Sequence, residues 1–88
     1  MQELNKKLQK VTSNIIKSLR TKSITKSAEE INLSKSIWAD LERGIKDPQF
    51  STLWRISEGL NIKTSELIKL IEDELGENFS FLEGTIGK

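Results

Sequence analysis

Residues 27–44, SAEEINLSKSIWADLERG, restrict the fold more than any other stretch of this chain. Ala28, Ile31, Leu33, Trp38 and Leu41 are spaced to pack two short helices against each other across a tight turn. Asn32 takes the turn, where a left-handed backbone is expected and Asn tolerates it better than most residues. Ser34 stands where its hydroxyl can cap the second of these helices, and Gly44 stands where that helix should stop.

Helical spacing continues on both sides. Leu4, Leu8, Val11, Ile15, Ile16 and Leu19 make one apolar stripe with lysines on the remaining faces, which predicts a first helix over about 3–20. Ser23 or Thr25 caps a second helix carrying Ile24, Ala28 and Ile31. After the third helix, Ile45-Lys46-Asp47-Pro48 reads as a loop, because Pro48 cannot continue a helix. A fourth helix is expected from near Ser51, with Leu53, Ile56 and Leu60 inward and Asn61 as its break. Thr64 is expected to cap a fifth, carrying Leu67, Ile68, Leu70, Ile71 and Leu75 and ending at Gly76. No segment of alternating pattern demands a strand. The expected fold is all-α, a five-helix domain over residues 1–76 with a short tail at 77–88. Phe79, Phe81, Leu82 and Ile86 make that tail too apolar for a plain disordered end, while Gly84 and Gly87 should let its last residues fray.

Composition narrows the chemistry. With 88 residues, no cysteine and no histidine, the chain is expected to be one small domain without disulfides, thiol catalysis, histidine bases or the usual zinc sites. Catalysis is not expected: there is no glycine-rich phosphate loop and no nucleophile–base pair, and Glu29 and Glu30, adjacent on a helix, diverge. No metal or cofactor is expected. No apolar run approaches the roughly 20 residues of a membrane span, and a cytoplasmic setting is expected. Net charge is only +1, but it is unevenly spread. Residues 1–26 hold seven Lys/Arg against one Glu, residues 27–48 three against five Asp/Glu, and residues 49–88 four against seven. One face can therefore approach phosphates while the other points away, although a solvated Lys-rich surface gives the same distribution.

The ordered set Ala28, Asn32-Leu33-Ser34, Trp38, Leu41-Glu42-Arg43-Gly44, Pro48 and FSTLWRISEGLNI resembles the helix-turn-helix domain of Cro and phage-repressor type regulators. The match spans about residues 13–71, and the stretch from Leu41 to Leu53 is its most specific part. The resemblance implies a lambda-repressor-like domain that binds double-stranded DNA as a homodimer and regulates transcription, with the third helix in the major groove. Carried over, Lys35, Ser36 and Asp40 face bases, and Ser23, Ser34, Arg43 and Lys46 meet phosphates. Lys35 suits guanine or a phosphate; Asp40 suits the cytosine amino group or pairs with Arg43 on the helix surface. Glu42 is expected to pair with Lys17 of the first helix. The chain departs from the pattern at Ile24, where a phosphate-holding Gln is usual, at Ser27, where an inward Leu is usual, and at Asn32 in place of the turn Gly. Ile24 is expected to replace part of the lost apolar contact.

Other residues have plainer readings. The spacing of Trp38 with Leu41 assigns it to the core rather than to base stacking. Lys6, Lys7 and Lys10 can reach phosphates, but a solvated helix face is the plainer reading, as it is for the acidic run Glu72-Asp73-Glu74. Phe50, Trp54, Phe79, Phe81 and Leu82 are the candidate dimer or partner contacts. The alternative function is a protein-interaction module or antitoxin that keeps this fold, binds DNA weakly and grips a partner through the tail.

Overall fold

The computed structural model describes residues 2–82, so the tail residues Gly84, Ile86 and Gly87 lie outside the described residues. Among the described residues there are five helices and no strand. They are α1 (Gln2–Leu19), α2 (Ile24–Glu30), α3 (Lys35–Glu42), α4 (Phe50–Gly59) and α5 (Thr64–Leu75). The long α1 packs on α3 and α5, α2 packs on α3 and α4, and α4 packs on α5. Every helix contributes to one core: Ile16, Ala28, Trp38, Leu41, Leu53, Ile56, Leu67 and Ile71 are buried. Leu8, Val11, Ile15 and Leu19 of the α1 stripe, together with Ile24, Ile31, Leu33 and Leu60, pack against that core. Burying a large apolar side chain stabilises by about 1.5–3 kcal/mol, so the seven beside Ala28 decide the fold of so small a chain.

The turns fall where short polar residues allow them. Asn32 and Asn61 adopt positive φ, at 59° and 64°, and Gly44 does so at 74° after α3. The cap of α2 resolves to Ser23, whose hydroxyl accepts from the Lys26 amide at 3.1 Å; Thr25 lies inside the helix. Ser34 Oγ accepts from the Ile37 amide at 3.2 Å, capping α3 as its position implied.

α4 begins at Phe50, next to the expected Ser51, and one cap differs from expectation. Thr64 is the first residue of α5 rather than its cap, because its hydroxyl turns inward and shares a 2.7 Å hydrogen bond with the buried Ser57. Lys63 takes the cap position, and the Glu66 carboxylate accepts its amide at 3.2 Å. Gly59 marks the closest approach of α4 to the end of α2. A Cβ there would lie 2.6 Å from Ile31 Cγ2, so only glycine lets the two helices meet.

Candidate nucleic-acid interface

α3 buries one face and exposes the other. Trp38, Leu41 and Glu42 point inward, while Lys35, Ser36 and Ile37 are exposed, Asp40 is half-buried, and Arg43 just beyond is exposed. On a helix, residues 36, 40 and 43 share one stripe, so Ser36, Asp40 and Arg43 form the outer ridge of α3.

What holds this helix in place is a charged anchor beneath it. Glu42 accepts from Arg20 Nε at 2.6 Å and from a second Arg20 guanidinium nitrogen at 3.1 Å, and from Trp38 Nε1 at 2.6 Å. Arg20 also donates to the Lys22 carbonyl at 2.6 Å. The bidentate fork thus ties the end of α1, the loop into α2 and the floor of α3 together. The hydrogen bonds that Arg20 donates to Glu42 hold its guanidinium still more firmly in the charged form than usual. This corrects the expected partner of Glu42: Lys17 lies exposed on α1, and Arg20, three residues on, does the work. Helix geometry explains the exchange. Lys17 lies in the last turn of α1, whereas Arg20 follows the last helical residue, where the chain turns toward α2. The fully buried Trp38 confirms its assignment to the core.

The remaining site residues are brought around α3. Ser34 Oγ and Ser36 Oγ lie 3.3 Å apart at its N-terminus. Ser23 and Ser34 each use a lone pair of the hydroxyl oxygen on their caps, and the Ser34 hydroxyl also shares a hydrogen bond with Ser36. Asp40 accepts from Arg43 at 2.9 Å, so the surface pairing of these two residues is the one found. Lys46 is exposed on the loop after Gly44. Ile24 packs against the core, and Ser27 is buried.

Two features were missed in the sequence. Arg55 on α4 donates to the carbonyl of Asn32 at 3.1 Å and so braces the turn between α2 and α3. Nothing in the spacing of Arg55 signals this, since it joins residues 23 apart. Ile37 is 42% exposed on α3, an apolar side chain suited to the methyl of thymine; its position beside Trp38 was the available signal.

The candidate dimer contacts divide. Phe50 and Trp54 are 64% and 47% exposed and meet edge to face at 5.8 Å, on the rim of an open groove between α4 and α5. Phe79 and Phe81 are half-buried and meet edge to face at 5.4 Å, with Lys7 Nζ 5.9 Å from the Phe79 ring centre; Leu82 is exposed.

No family model and no solved structure matches the chain. Among curated proteins, the HTH-type transcriptional regulator SutR of Escherichia coli (strain K12) is 34% identical over 64 residues, covering 69% of this chain. That likeness fits a helix-turn-helix family. The chain spans 36% of the length of this relative, about one third. Among the described residues no helix is long and apolar enough to cross a membrane.

Proposed function

We propose that the chain is a sequence-specific DNA-binding regulator of transcription of the Cro and phage-repressor type, acting as a homodimer with α3 in the major groove. The observation that carries this reading is the open outer face of α3, offering Lys35, Ser36 and Ile37 to a groove while the Arg20–Glu42–Trp38 anchor fixes the helix from below. The likeness to a helix-turn-helix transcriptional regulator supports it. Lys35, Ser36 and Asp40 are the base-facing residues, and Ser23, Ser34, Arg43 and Lys46 the phosphate contacts. Asp40 serves by pairing with Arg43 in the free chain and releasing it to a phosphate on binding. Phe50 and Trp54 supply the dimer contact, and two recognition helices about 34 Å apart then read two half-sites. Such a chain is not an enzyme in this reading.

Duplex binding measured against salt tests the proposal. Affinity should fall with slope of about 0.9 per phosphate contact, and Lys35→Ala with Arg43→Ala should weaken binding at least tenfold. Selection from random duplexes should return a two-half-site sequence. No duplex affinity at low salt overturns the reading. The second reading, an interaction module that grips a protein partner, is favoured by one observation: Phe50 and Trp54 stand open on an apolar groove.

A further inference from the structure

The structure sorts the four lysines of α1 into two kinds. Lys7 lies over the Phe79 ring and is occupied with the tail. Lys6, Lys10 and Lys17 are exposed, and none of them forms an ion pair among the described residues. Their spacings of four and seven residues bring them within about 40° of each other around the helix. Lys17 is available for this stripe because Arg20 has taken Glu42. Glu3, the one acidic residue of α1, sits a turn before it.

The stripe also runs directly beside the candidate interface. A Cβ on Gly44 would lie 3.3 Å from Ser13 Oγ and 3.7 Å from Lys10 Cα. Ser13 stands on the same side of α1 as the three lysines, so α1 passes the end of α3 at Gly44, which directly follows the phosphate candidate Arg43 and lies two residues before Lys46. From Lys6 to Lys17 the helix extends about 16 Å, enough to follow several consecutive phosphates of one strand. Lysine suits that partner: a hydrated point charge on a flexible stem binds a phosphate without demanding one geometry.

We propose that Lys6, Lys10 and Lys17 form a phosphate rail continuous with the end of α3, which carries the footprint onto duplex DNA flanking the bases that α3 reads. The proposal rests on the DNA-binding reading above. It assigns α1 a sequence-independent share of affinity that the α3 contacts do not supply.

The test is duplex binding against salt for three proteins: the parent, Lys6→Gln/Lys10→Gln/Lys17→Gln, and a control, Lys63→Gln/Lys69→Gln, on the exposed start and middle of α5. The triple variant should lose about 0.9 of salt slope per lysine and lose affinity equally for specific and random duplexes. The control should keep the parent slope, and circular dichroism melting should be the same for all three. A triple variant with the parent slope, or a control that loses as much per charge, overturns the rail while leaving the α3 reading intact. A parent without duplex affinity overturns both.

Discussion

Glu42 is the residue on which the helix-turn-helix unit turns. Its side chain is 5% exposed, and three donors satisfy it: two guanidinium nitrogens of Arg20 and the indole of Trp38. Removing one partner of a buried ion pair costs about 3–5 kcal/mol, and the Arg20 side chain is 23% exposed, so the penalty here is reduced by water. Arg20→Ala should therefore destabilise by about 2–3 kcal/mol in urea unfolding, while Lys17→Ala should change stability by less than about 0.5 kcal/mol. Equal costs at the two positions would return Glu42 to Lys17. The sign of the pH dependence follows from the raised Arg20 pKa. A cation whose folded pKa lies above its unfolded value contributes fully below the unfolded pKa and loses that contribution only as pH rises through the folded one. The Arg20→Ala penalty should accordingly stay constant from about pH 6 to about pH 10, and a penalty that vanishes on raising pH within that window would contradict the guanidinium as its source.

At the level of elements, the angle between α2 and α4 depends on a glycine. Alanine is worth about 1 kcal/mol over glycine in a helix interior and less at the last residue of α4, so propensity by itself predicts a modest gain from Gly59→Ala. The 2.6 Å approach to Ile31 Cγ2 opposes this, because that methyl is branched next to the backbone and cannot swing aside. Overpacking of this kind costs about 1–3 kcal/mol and should win. Gly59→Ala is expected to lower the thermal midpoint, and Ile31→Ala in the same chain should cost less than it does beside Gly59. Additive losses would show that the contact yields by another route. The start of α5 teaches the same lesson. Thr64 reads as a cap by its chemistry, yet its hydroxyl is drawn to Ser57 across the α4–α5 packing, and the boundary moves by one residue.

For the molecule as a whole, the homodimer proposed above draws on two aromatic pairs as its candidate contacts. The tail pair, Phe79 and Phe81, is half-buried and engaged with Lys7. The pair on α4, Phe50 and Trp54, keeps most of its surface open. Phe50→Ser with Trp54→Ser is expected to shift sedimentation from dimer to monomer without loss of helical circular dichroism. Deleting residues 77–88 should disturb the α1 surface more than self-association. A double variant that remains dimeric would assign the contact to the tail instead.

The helices, their order and the inward residues were legible because they are local or periodic properties: apolar spacing at 3.6 residues, Ser23 and Ser34 at caps, Asn32, Gly44 and Asn61 at positive φ. The burial of Trp38 followed from that same spacing. Choices among side chains of like chemistry were decided only in three dimensions. Arg20 rather than Lys17 meets Glu42, Arg55 braces the turn at Asn32, and Lys10 lies beside Gly44 while Lys7 is drawn to Phe79. Each of these depends on where a long, flexible side chain ends relative to a distant segment, and hydrophobic periodicity carries no information about that.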